Sequence, residues 1–184
     1  MSGHSHWAGI KHKKEIADRK RGKVFSKLLS AISAAARTEP NPDFNPRLRT
    51  AIAKAKEASV PQGNIERAVK RASEPGGALE ELTFEAYGPG GAAIMIRAVS
   101  DNKNRAVQEV KTILKEHGGK WAESGSVRWA FETGGSEAES GWKPKFLQDL
   151  PPEDENRLAS LVAALEDNDN VQEVATNAEP VPKA

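Results

Sequence analysis

The apolar residues of this chain change their period near residue 78, and that change restricts the fold more than any single motif. Before it, Phe25, Leu28, Leu29, Ile32 and Ala36 recur at three- and four-residue spacing, which marks a helix with one apolar stripe. After it, Leu82, Phe84 and Ala86 alternate, and so do Ala92, Ile94, Ile96 and Ala98, as strands with one buried face do. Such a pattern predicts an α+β protein, a helical unit followed by a small antiparallel sheet covered by helices.

The first helix is read from about Ile16 to Arg37, with residues 1–14, polar and rich in glycine, as an arm that does not fold alone. A loop dense in breakers follows, Thr38-Glu-Pro-Asn-Pro-Asp-Phe-Asn-Pro. Asn45-Pro46 is a cap followed by a first-turn proline, so a second helix starts there. A third runs from about Asn64 to Ala72, and Pro75-Gly-Gly77 ends the unit. Residues 1–77 are therefore taken as a basic arm and three-helix domain, and residues 78–177 as an α/β domain.

In that second domain Gly88-Pro-Gly-Gly91 joins two strands as a hairpin. Asp101-Asn102 opens a helix with Ala106, Val107, Val110, Ile113 and Leu114 inward, closed by Gly118-Gly119. Val127, Trp129 and Phe131 alternate and are read as a third strand, and residues 133–151 as linker. A helix over about 152–167 and a last strand over 170–176 complete a ββαβ–αβ order, with residues 178–184 as a disordered tail.

Charge divides the same way. Residues 1–77 hold 16 Lys and Arg against 7 Asp and Glu, while residues 78–184 hold 11 against 19. A basic half suits a polyanion, and an acidic half is repelled by one. The chain has no cysteine, which excludes disulfides, thiolate zinc sites and thiol catalysis. With no apolar run long enough to span a membrane and no apolar signal core, a cytoplasmic protein is expected.

The densest cations are at the start. Lys11, Lys13 and Lys14 surround Trp7 with His4, His6 and His12, and Arg19, Lys20, Arg21, Lys23 and Lys27 follow on the first helix. Lys20, Lys23 and Lys27 fall on the side opposite the apolar stripe. Lysine and arginine are costly to bury and add little as surface pairs, but they neutralise phosphates well. Trp7 is suited to stack on an unpaired base. Arg47 and Arg49 on the second helix extend the basic set. The bland alternative is a solvated charge run with Trp7 folded back on the helices.

Other motifs are weaker. His4-x-His6 lacks the carboxylate or thiolate of a good metal site, and no metal or cofactor is expected. Gly88-Pro-Gly-Gly91 lacks the Lys-Ser/Thr of a phosphate loop. Lys103 and Arg105 stand at a helix N-terminus, where cations are unfavourable without an anionic partner. Trp121, Trp129 and Trp142 are read as core or linker anchors, and no nucleophile elbow or catalytic set emerges, so no enzyme is expected.

Gly3-His-Ser-His-Trp-Ala-Gly-Ile-Lys-His-Lys-Lys, Lys20-Arg-Gly-Lys-Val-Phe-Ser-Lys-Leu, Pro61-Gln-Gly-Asn-Ile-Glu-Arg-Ala-Val-Lys-Arg, Tyr87-Gly-Pro-Gly-Gly, Asp101-Asn-Lys-Asn-Arg and Ser124-Gly-Ser-Val occur in this order. In these residues the chain closely resembles the YebC/PmpR family of gene-expression regulators. The resemblance implies a helical domain followed by ferredoxin-like α/β domains and no catalysis. It also implies a DNA-binding role in transcription, or, as in the related mitochondrial translational activator, a ribosome- or ribosomal-RNA-associated role in translation. Two departures stand out. Only residues 133–151 occupy the place of a further α/β domain, and His6 stands where the family pattern has lysine. A monomer bound to DNA or RNA, with no membrane partner, is the resulting expectation.

Overall fold

The computed structural model describes residues 3–74, 78–133 and 141–178, with side chains from Glu15 onward. Three helices come first: α1 (Gly3–Ala36), α2 (Pro46–Glu57) and α3 (Gln62–Arg71). They close on a core of Ile32, Leu48, Ala55, Val60 and Ile65. Asn45 caps α2 as expected, its side-chain oxygen accepting from the Leu48 amide at 3.0 Å. Its amide nitrogen donates to the carbonyls of Ala35 and Glu39, which fixes the α1–α2 corner.

The helix α1 begins at Gly3, so the expected arm of residues 1–14 is corrected from residue 3 onward to continuous helix. Nucleation is the costly step in helix formation, and the turns packed from Phe25 onward supply it. Propagation toward the N-terminus then adds one hydrogen bond per residue. The result is a helix of 34 residues, about 50 Å long at 1.5 Å per residue. From Glu15 to Gly22 every side of it is exposed.

The sheet has the order β3-β1-β2-β6, with antiparallel neighbours throughout. The strands are β1 (Glu80–Tyr87), β2 (Ala93–Ser100), β3 (Lys120–Ala122) and β6 (Val171–Thr176). Two helices, α4 (Lys103–Glu116) and α5 (Pro152–Asp167), cover one face. There Phe84, Ile94, Ile96, Val110, Leu114, Leu161 and Leu165 form the largest core. The expected α4 stripe is found, with Ala106, Val110 and Leu114 buried and Asn102 capping through the Arg105 amide at 3.0 Å.

Two readings of the second half need correction. The third strand of the sheet is Lys120-Trp-Ala and not Val127–Phe131. Arg128–Ala130 is a turn of 3-10 helix, and Phe131 starts β4 (Phe131–Thr133), which pairs with β5 (Trp142–Pro144) in a separate ribbon. Buried Val127 and Phe131 mimic a strand period because both ends of that turn dip into the same core. The second correction concerns residues 133–151, which are not all linker. β5, buried Leu150 and a parallel bridge from Gln148 to Ala178 lie within or against them, and residues 134–140 lie outside the described ones. The tail expected over 178–184 lies outside them too, apart from Ala178, which is buried.

The second sheet face is covered as well. Ala93 and Met95 pack under Val127, Ala130 and Phe131 of the ribbon side, and Arg97 and Val99 face α1 and α2. Burial on both faces explains why β2 reads Ala-Ile-Met-Ile-Arg-Ala-Val with almost no polar residue.

The hairpin turn is a tight site. Gly90 has φ 69°, and a Cβ there would stand 2.5 Å from Leu150 Cδ2 and 3.3 Å from an oxygen of Asp154. Gly90→Ala should therefore cost about 2 kcal/mol, from left-handed backbone strain plus overpacking against the α5 entry. Denaturant unfolding checks this; a loss indistinguishable from zero would contradict the close packing.

Candidate nucleic-acid interface

The expected contact residues divide into three groups. Helix α1 carries His4, His6, Trp7, Lys11, His12, Lys13 and Lys14 on its first turns, but their side chains lie outside the described residues. Arg19, Lys20 and Arg21 are exposed on the projecting rod and have no ion-pair partner among the described residues. The rest are engaged within the chain.

Lys23 and Lys27 do not face open solvent, which corrects the outward basic face read from the helical wheel. Lys23 Nζ lies 3.0 Å from Asp167 and 3.4 Å from Asp169, and Lys27 Nζ donates to the Glu166 carbonyl at 2.5 Å. A wheel places residues relative to one apolar stripe, and it cannot foresee that a second unit docks along the opposite side. The acceptors belong to the loop between α5 and β6. That loop is braced by Asn168 and Asn170, whose side-chain amides both donate to Glu109 of α4.

The ionisation behaviour follows this geometry. The hydrogen bond to Asp167 chiefly raises the Lys23 pKa above its ordinary value, against an opposing cost of burial. The same bond lowers the Asp167 carboxyl below its usual range. Burial first, and then the neighbouring Lys23 charge, lowers the Lys27 ammonium. The Lys23–Asp167 contact therefore stabilises the fold at neutral pH. It lapses as pH falls through the depressed Asp167 value, or rises through the elevated Lys23 value.

Arg47 and Arg49 are exposed but occupied. Arg47 pairs with Glu81 of β1 at 2.5 Å, and Arg49 donates to the carbonyl of Pro42 in the loop before α2 at 3.0 Å. Arg37 pairs with Glu80 at 3.1 Å. Among the described residues, basic groups of the helical unit thus meet acidic groups of the sheet unit at three ion-paired places, Lys23, Arg37 and Arg47. The opposite charges of the two halves are partly a docking device.

Two features escaped the sequence reading. Glu85, which alternates with Leu82, Phe84 and Ala86 along β1, is buried too, and its carboxylate accepts from the amides of Gly125, Val127 and Arg128 at 2.6, 2.8 and 3.1 Å. The available signal was the two-sided apolar character of β2, its neighbour. The second is Trp129, read as an anchor but exposed, with its ring against Phe146 at 5.6 Å between centroids. Trp121 does anchor, lying 5.3 Å from Phe84 with Lys111 above its ring. Among the described residues no group of His, Cys, Asp and Glu is arranged to hold a metal, and no helix is long and apolar enough to cross a membrane.

A projecting basic helix on a three-helix unit, docked by ion pairs to a four-stranded α+β unit, defines the class of protein. Residues 5–75 match the family description TACO1/YebC protein N-terminal domain, and residues 79–136 match TACO1/YebC second and third domain. A relative from Fervidobacterium nodosum is 37% identical over 235 aligned positions, covering 96% of this chain and 93% of its own length. The chain belongs to the TACO1/YebC family.

Relatives from Aquifex aeolicus and Desulfosudis oleivorans are 51% and 46% identical over 138 residues, and each covers 73% of this chain. The chain spans little more than half of their length, 55% and 56%. All three relatives are named probable transcriptional regulatory protein. The Fervidobacterium alignment is longer than the 184 residues of this chain, so that relative carries an internal segment with no counterpart here. The crystal structure of a conserved hypothetical protein from Aquifex aeolicus superposes with a TM-score of 0.81 at 33% identity, over 90% of this chain and 93% of that one.

Proposed function

We propose that this protein is a non-enzymatic, nucleic-acid-binding regulator of gene expression that acts in the cytoplasm, with DNA in a transcriptional role as the first target. One observation carries the reading: Arg19, Lys20 and Arg21 have no ion-pair partner among the described residues and stand on a stretch of α1 exposed on every side. Unpaired cations on a rod repel one another and contribute nothing to packing. Phosphates resolve that repulsion by releasing their counterions. The names of the relatives support the regulatory side of this reading.

A second reading, an RNA-directed translation factor working on the ribosome, is favoured by the same rod. From Glu15 to Gly22 it is exposed on every side, so it can enter an irregular RNA surface from which a docked recognition helix would be barred.

Binding of labelled oligonucleotides measured across salt tests the reading. The logarithm of the affinity should fall with log salt with a slope of about −3 or steeper, one phosphate for each free cation at least. A flat salt dependence, or no binding in dilute buffer, would remove the proposal. Sequence-preferring duplex binding at physiological salt selects the DNA role, and crosslinking of α1 to ribosomal RNA selects the translational one.

A further inference from the structure

We propose that Tyr87, Trp129 and Phe146 form a platform for the unpaired bases of a single-stranded nucleic acid, with Lys120, Arg128 and Lys145 on its phosphates. This rests on the nucleic-acid reading above but places a second contact surface on the sheet unit, away from α1.

The three rings are exposed, at 38%, 63% and 45% respectively, although the chain has only ten aromatic residues. Trp129 and Phe146 stack at 5.6 Å with 26° between their planes. Tyr87 Oη and Trp129 Nε1 both donate to the Ser126 carbonyl, at 3.2 and 2.8 Å. The phenol and indole donors are thus already used within the protein. The support is rigid too, because Glu85 holds the amides of residues 125, 127 and 128 from below.

Each ring has an exposed cation as its cross-strand or chain neighbour. Lys120 pairs across the sheet with Tyr87, Arg128 precedes Trp129, and Lys145 precedes Phe146 with its amide bonded to the Ala130 carbonyl at 2.9 Å. None of the three cations has an ion-pair partner among the described residues. Leu147 is exposed next to them and extends the apolar strip. A protein-binding patch would be expected to lack lysine at its centre. Aromatic faces interleaved with free cations instead match a strand that offers bases and phosphates in turn.

The test uses the full chain, a labelled single-stranded RNA 12-mer, its duplex and an abasic strand of equal length, all at one salt concentration. Wild type should bind the base-bearing strand about tenfold more tightly than the abasic strand, since stacking is worth on the order of one tenfold step per base. Trp129→Ala and Phe146→Ala should each remove most of that advantage and leave duplex and abasic affinity unchanged. Trp129→Phe should retain it. Equal affinity of wild type for base-bearing and abasic strands overturns the platform while leaving the role of α1 intact. Failure of all three probes to bind wild type overturns the platform, while the role of α1 is decided separately by the salt titration with DNA and RNA oligonucleotides. If Trp129→Ala changes only the sedimentation of the protein, the strip is a protein–protein surface and the proposal falls.

Discussion

Replacing Glu85 with alanine is expected to destabilise the protein by about 3 kcal/mol or more, among the largest losses available to any single substitution here. Its carboxylate is buried and accepts from three backbone amides within 3.1 Å. Truncation removes a charged acceptor and strands the amides at a site where Glu85 and Val127 are both buried. Among the described residues no other side chain bonds these amides. Thermal unfolding should shift down by roughly 6–12 °C for a chain of this size. Glu85→Gln should fall between, because one oxygen still accepts while the new amide group points donors at donors. A shift under about 2 °C for the alanine variant would show that water replaces the carboxylate at little cost.

Reversing Arg19, Lys20 and Arg21 to glutamate together should weaken oligonucleotide binding on the order of 100-fold near ~0.1 M salt and flatten the salt slope by about three. The loss should be uniform across sequences, because phosphate contacts position without reading bases. The opposite sign is expected at the α5–β6 loop. Asp167→Asn with Asp169→Asn releases Lys23 from its two carboxylates, so binding should tighten several-fold and the salt slope steepen by about one. These residues are more than four-fifths exposed, so folding should be little changed. Were the triple reversal to leave affinity unchanged, the projecting rod would not be the contact surface.

The helical half was legible because its signals are local. The Asn45 cap with Pro46 set where α2 starts, and the three- and four-residue spacing of Phe25, Leu28, Leu29 and Ile32 set which side of α1 packs. The hairpin and the α4 and α5 stripes were legible for the same reason. Val171 and Val174 do not alternate, yet β6 forms, because a register shift opposite Arg97 and Ala98 absorbs the break in period. The strand read over Val127–Phe131 went wrong for the converse reason. A 3-10 turn between two buried ends imitates alternation.

Period and capping, which depend on neighbours a few residues away, determined the elements and the division into a basic helical unit and an acidic sheet unit. What a charged or aromatic side chain does was decided only by the tertiary structure. Lys23 and Arg21 are two residues apart, yet one is tied to Asp167 and the other has no ion-pair partner among the described residues. Glu85 lies beneath a loop some forty residues later, and Trp129 meets Phe146 across a ribbon. Charge and ring area carry no direction in sequence, and only docking of the two units sets which of them the protein consumes and which it leaves for a partner.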